Sequence, residues 1–180
     1  MPMRPTQSRW RRLLGALLLF SACSGSQPEA AVQPPVTPAE VNAFLQEMLD
    51  GRPVFTYTDL VERLGSPVRV KAEPVVSSNA SSPDTLRTLI YHGLELTVHE
   101  SASPPAVRPT RVALTDARYT SPEGLRVGYA ESQVITTLGP PMQREPARLI
   151  YEKTDPQHYV LVVFLERRTV SRIEWRFTDQ

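Results

Sequence analysis

The sequence predicts an α+β domain: two tandem helix-plus-three-strand repeats forming one antiparallel sheet with helices on one face, preceded by an extra N-terminal helix. Three observations lead there. Two helical segments end on the same stop, Leu64-Gly65-Ser66-Pro67 and Leu138-Gly139-Pro140-Pro141. The triplet Leu-Ile-Tyr follows each, at 89–91 and at 149–151. Two later segments alternate strictly between apolar and polar residues, Gly93 to His99 and Arg172 to Phe177, so each has one buried and one wet face.

The chain opens on Arg4, Arg9, Arg11 and Arg12, then an apolar run from Leu13 to Phe20, then Ser21-Ala22 and Cys23. This is the layout of a secretory signal. Its apolar run is far shorter than the roughly 20 residues that span a bilayer. Cys23 is the single cysteine, so no internal disulfide can form, and a lone thiol in a secreted chain calls for another explanation. One alternative is a plain signal peptide with an incidental cysteine, or an amphipathic helix. The other is lipid attachment, because Phe20-Ser21-Ala22-Cys23 resembles the bacterial lipoprotein cleavage site, with Phe where Leu is usual. That resemblance implies lipidation at Cys23, and several acyl chains anchor stably where one is marginal. Ser24, not Asp, follows, which resembles lipoproteins sent to the outer membrane. The implied location is the outer membrane, facing the periplasm.

The whole chain has 20 Lys+Arg against 19 Asp+Glu. Without the four arginines of residues 1–22, the chain from Cys23 carries 16 basic and 19 acidic side chains, a net of −3. A nucleic-acid partner would need a clustered basic excess, so none is expected. Residues 23–37 are rich in Pro, Ser, Gln and Ala without periodicity and read as a tether of roughly 40 Å. The organisation is therefore a signal peptide over 1–22, a tether over 23–37, the N-terminal helix and first repeat over 38–124, and the second repeat over 125–180. Both repeats belong to one domain.

Thr37-Pro38-Ala39-Glu40 starts the first helix as a capping box with Pro at its first position. Val41, Phe44, Leu45, Met48 and Leu49 form its buried face, and Gly51 ends it. A second helix begins near Thr58, with Tyr57, Leu60, Val61 and Leu64 sharing one face and Gly65-Ser66-Pro67 stopping it. Strands are expected at Gly93–His99 and Arg111–Arg118. Gly128 to Leu138 reads as a helix with Ala130, Val134, Ile135 and Leu138 inward. Arg148–Lys153 is a strand, Thr154 to Gln157 a turn, and Tyr159–Leu165 a strand apolar on both faces, as suits a central strand or one beneath a partner. The last strand points Ile173, Trp175 and Phe177 one way and Arg172, Glu174 and Arg176 the other.

The run from Leu125 to Pro141, an apolar residue, Gly, a helix with a central Val and then Leu-Gly-x-Pro, resembles the signature of the β-lactamase inhibitory proteins and the BamE (SmpA/OmlA) outer-membrane assembly lipoproteins. The resemblance covers residues 55–178 as a tandem pair. It departs in the first half, where Val54-Phe55-Thr56 replaces the apolar–Gly start and a Pro/Ser-rich insertion runs from Ser77 to Asp84. It implies a non-catalytic, membrane-anchored binding module with an open sheet face, acting in envelope assembly or binding an enzyme as the inhibitors do.

Catalytic chemistry is not legible. His92, His99 and His158 are the three histidines, and no spacing among them suggests zinc. No Gly-x-Ser-x-Gly or phosphate-loop motif occurs. The remaining alternative in another class is an enzyme on an unrecognised fold. No cofactor or metal is expected. By strand alternation the candidate partner-binding residues are Glu95, Thr97, His99, Arg172, Glu174 and Arg176, with an envelope protein as partner and the lipid anchor at Cys23.

Overall fold

A computed structural model describes residues 37–51, 55–75, 84–102, 105–154 and 158–177. Expectations for the signal peptide, Cys23, the tether up to Val36, the insertion at 77–83 and the turn residues 155–157 lie outside them.

Helix α1 (Pro38–Gly51) starts as its sequence requires. Glu40 accepts from the Thr37 backbone N at 2.7 Å, and Thr37 Oγ1 accepts from the Glu40 N at 3.3 Å. Its buried residues are the five that the spacing selects, Val41, Phe44, Leu45, Met48 and Leu49. Helix α2 (Tyr57–Leu64) is capped by Thr56, which pairs reciprocally with Asp59. These hydrogen bonds hold the Asp59 carboxyl below its ordinary pKa, the backbone bond from Thr56 most of all. Helix α3 (Glu131–Leu138) is shorter than expected. Ala130 stands at its N-cap and offers no side-chain acceptor, while Gln133 takes up the Ala130 N–H at 2.8 Å.

Eight strands follow: β1 (Arg69–Val75), β2 (Asp84–Ile90), β3 (Leu94–Ala102), β4 (Pro105–Leu114), β5 (Gln143–Glu145), β6 (Arg148–Lys153), β7 (Tyr159–Glu166) and β8 (Thr169–Phe177). They form one antiparallel sheet in the order β1-β2-β3-β4-β8-β7-β6-β5. The expected pair of helix-plus-three-strand repeats is therefore incorrect. The described residues form a single eight-stranded sheet with three helices.

Two strands escaped because they carry no buried alternation. Every residue of β1 is exposed, and β5 is only three residues long. The matched triplets also sit differently. Leu89-Ile90 closes β2, leaving Tyr91 beyond its end, whereas Leu149-Ile150-Tyr151 lies inside β6. The strand expected at Arg111–Arg118 starts and stops earlier, because Asp116 turns the chain by accepting from the Arg118 N at 2.8 Å.

All three helices pack on one face. Leu60, Leu64 and Val134 join Phe44, Leu45 and Met48 in a single cluster with Leu89, Leu94, Leu96, Leu149, Leu161, Val163, Ile173 and Trp175. Ile135 and Leu138 are partly buried against it, while Ala130 is exposed. Two extended segments seal the central strands where their neighbours end. Phe55 exchanges both backbone hydrogen bonds with Val107 of β4. Gly128 and Tyr129 do the same to Val170 of β8.

Candidate functional site

No described helix covers the sheet's second face, because the buried apolar side chains of all three helices belong to the core opposite. The pleat sends Arg172, Glu174 and Arg176 to that open face, since Ile173, Trp175 and Phe177 between them are 0, 1 and 8 % exposed. The register sets these residues beside others. Glu174 lies opposite Ala113, which lies opposite Glu95. Arg176 lies opposite Arg111, which lies opposite Thr97.

An ion-pair network results. Glu174 accepts from Arg172 Nε at 2.9 Å and from Arg176 Nε at 2.7 Å, with Arg111 Nη1 at 3.8 Å. Arg172 Nη2 also donates to Glu95 Oε2 at 3.0 Å. Arg111 donates to Thr97 Oγ1, which hydrogen-bonds Thr88. Burial works to lower the Arg172 pKa, but its bonds and charge contacts with Glu95 and then Glu174 outweigh this and raise it.

The layering matters more than the count of charges. The Glu174 side chain is 3 % exposed, Arg172 23 %, Arg111 39 % and Arg176 49 %. Carboxylate lies beneath and guanidinium above, so the central surface presents N–H donors. Five of the six residues chosen by alternation are thus brought together, with Thr97 and Glu174 buried inside the network and not on its surface. His99 stands apart, 3.3 Å from Asp84. Strand alternation alone could not identify Arg111. Its signal was register, because the bulge between Thr97 and Val98 fixes which β4 residues face out.

Beside the network lies an apolar strip. Val162 is opposite Glu174 and Ile150, Val160 is opposite Arg176, and Phe164 is opposite Arg172. Val162 is buried, while Ile150, Val160 and Phe164 are half-buried. This is the second apolar face that the sequence showed for β7.

The other features are structural. The hollow beside α1 is lined by Ala43, Gln46, Glu47, Asp50 and Gly51, and both of its carboxylates are engaged, Glu47 by Arg63 and Asp50 by Gln46. His158 pairs with Glu152 at 2.8 Å, and His92 is exposed in the turn after β2. Among the described residues no group of three or more His, Cys, Asp or Glu could hold a metal. No described helix is long and apolar enough to cross a membrane.

Fold and surface define a class: a one-layer antiparallel sheet backed by helices on one face, with arginines and aliphatic side chains on the face that no described helix covers. No protein-family model matches the chain, and no curated protein does. Among solved structures it is similar to a DUF4309 family protein, YjgB, from Bacillus subtilis subsp. subtilis str. 168. That match has 14 % identity and a TM-score of 0.43, over 79 % of this chain and 98 % of that one. Likeness at that level carries no argument about function.

Proposed function

We propose that this protein is a lipid-anchored envelope lipoprotein that binds a protein partner through the open face of its sheet, without catalysing a reaction. The observation that carries the reading is the face that no described helix covers, where the Val160–Phe164 strip of β7 meets the guanidinium layer of Arg111, Arg172 and Arg176. Aliphatic and aromatic surface beside Arg is the chemistry of interface cores, where Arg is enriched and other charges are depleted. The N-terminal Arg-rich, apolar and Cys23 pattern supports anchoring at the outer membrane, facing the periplasm. The resemblance to the β-lactamase inhibitory proteins and the BamE lipoproteins supports a binding role of the same kind.

Two measurements test it. Mass spectrometry of the membrane fraction should find acylated Cys23 at the mature N-terminus. A Cys23→Ala protein that still partitions with membranes and keeps a lipid adduct rules out the anchor. A photo-crosslinking amino acid at Phe164 in intact cells should yield a discrete protein adduct, and one at Gln46 on the exposed side of α1 should not. Adducts from Gln46 alone would place the interface on the helix side, and no adduct from either position would remove the binding role.

A further inference from the structure

We propose that β1 is a self-complementary edge through which two copies of this chain pair antiparallel, joining their sheets. The inference is independent of the open-face reading above.

Strand β1 is one outer edge of the sheet and presents seven residues, whereas the opposite edge, β5, presents three. Its hydrogen-bonding parity follows from the neighbouring strands. The Tyr91 N donates to the Leu94 O in the β2–β3 register, so odd-numbered residues of β2 bond to β3 and even-numbered ones to β1. Their partners on β1 are Arg69, Lys71, Glu73 and Val75. The outward backbone groups therefore belong to Val70, Ala72 and Pro74. Pro74, which has no N–H, stands where its missing donor faces away from the sheet.

The same parity restricts how a second copy can bind. Outward groups must meet outward groups, so even-numbered residues pair with even-numbered ones. Both open faces then lie on the same side of the joined sheet. Centred on Ala72, the pairing overlaps all seven residues. The Ala72 N–H meets the Ala72 carbonyl of the second copy, and the Val70 N–H meets the Pro74 carbonyl. By two-fold symmetry each bond occurs twice.

Charge selects this register. Lys71 falls directly opposite Glu73 of the second copy, also twice, and unlike charges directly opposite one another stabilise a strand pair. Centring on Lys71 would keep an unlike pair, Arg69 opposite Glu73, but would set Lys71 against Lys71 between them, which is unfavourable, whereas centring on Ala72 brings no like charges together. On the helix side Val70 would meet Pro74 and Ala72 would meet Ala72. Val70 is 39 % exposed, on a strand every residue of which is exposed. Lys and Pro on an edge ordinarily guard it against foreign strands. Here a second copy offers Glu73 to the Lys and a carbonyl acceptor, needing no donor, from the Pro.

Sedimentation of the full chain in a non-ionic detergent tests this by protein mass. The wild type should sediment at twice the chain mass. Lys71→Glu sets Glu against Glu and should weaken pairing at least tenfold. Adding Glu73→Lys to it reverses both charges and should restore the wild-type association. A monomeric wild type overturns the proposal. So does a dimer that Lys71→Glu leaves unchanged, or one that the charge-reversed double variant fails to restore.

Discussion

Arg172 of β8 reaches over β4 to hold Glu95 of β3, with Nη2 3.0 Å from Oε2. Between Glu95 and Glu174 on β4 stands Ala113, opposite both and 0 % exposed, so the strand that the bridge spans carries a single methyl at that position. The pair joins strands that share no backbone hydrogen bonds. It adds to the four paired positions of β4 and β8 and to the shared core that join the part of the sheet built from β1–β4 to the part built from β5–β8.

Replacing Arg172 should therefore cost stability and not binding alone. Arg172→Ala leaves Glu174, 3 % exposed, with one close partner fewer, and leaves Glu95 without its guanidinium. Breaking one side of a buried pair costs about 3–5 kcal/mol. With Arg172 partly solvated, a loss of about 2 kcal/mol is expected by urea denaturation. Arg176→Ala, on a side chain 49 % exposed, should change stability by less than about 1 kcal/mol. Equal costs at the two positions would show that the network is not layered as described.

Ala113 offers a second test of the same bridge. Ala113→Leu keeps the strand but puts a branched side chain where the guanidinium crosses, and Ala113 is 0 % exposed. Overpacking of this kind costs about 1–3 kcal/mol. The cost should largely vanish when Arg172 is already Ala, because the obstructed contact is then absent. Additive effects of the two changes would place the bridge elsewhere.

Much of this architecture was legible in sequence, and the failures share one cause. The face of α1 and the split between Ile173-Trp175-Phe177 and Arg172-Glu174-Arg176 were written in hydrophobic period, because each element sets its apolar residues on one side. Strand β1 buries nothing, so period has no purchase on it. The repeat failed for a related reason. Leu-Gly-x-Pro and Leu-Ile-Tyr mark where a helix stops and where a core strand passes, but not how many strands lie between. Alternation also assigns a face, not an exposure. It put Glu174 on the open face, yet could not tell that Arg111, Arg172 and Arg176 would cover it.

Gly93 gives a sharp local test of the β2–β3 turn. Its φ is +81°, and a Cβ there would stand 2.3 Å from the Asp116 Cβ. The same turn is held by the Tyr119 OH donating to the His92 O at 3.0 Å. Gly93→Ala adds left-handed strain of about 1–2 kcal/mol to a backbone-proximal clash. A total loss on the order of 3 kcal/mol is expected in thermal or urea unfolding. Gly124→Ala, with a similar φ of +85° and open space around it, should show the strain without the clash, about 1 kcal/mol.

The turn between β7 and β8 leads to a stabilising change. Arg167 and Arg168 have φ of 50° and 64°, and both residues of a two-residue hairpin at positive φ define a type I′ turn, which favours Asn and Gly. Arg168 is retained by contact, donating Nε to Glu131 Oε2 at 2.9 Å. Arg167→Asn should stabilise the protein by about 0.5–1 kcal/mol, since Asn tolerates the left-handed region. A neutral or destabilising result would mean that the Arg167 side chain does more for the fold than its geometry indicates.

The pH dependence of stability should centre on Glu131. This carboxylate is 7 % exposed at the start of α3 and is held by Arg168 and Arg144. The hydrogen bond from Arg168 is the largest influence and, with the charge of Arg144, outweighs burial, so the folded-state pKa lies below the ordinary carboxylate value. A group whose folded pKa is depressed contributes stability fully above its unfolded value, about 4.3 for Glu. That contribution falls away as pH drops through the folded value. Glu40, Asp59 and Asp116 are shifted the same way, so the wild-type curve alone cannot isolate Glu131. The difference between wild type and Glu131→Gln can, because the other three are common to both. Wild type should be the more stable above about pH 5, with the gap closing as pH falls below about 4.3. A gap that stays constant across that range would mean that the Arg144–Glu131–Arg168 triad holds the hairpin to α3 by packing and neutral hydrogen bonds, with the charge contributing nothing.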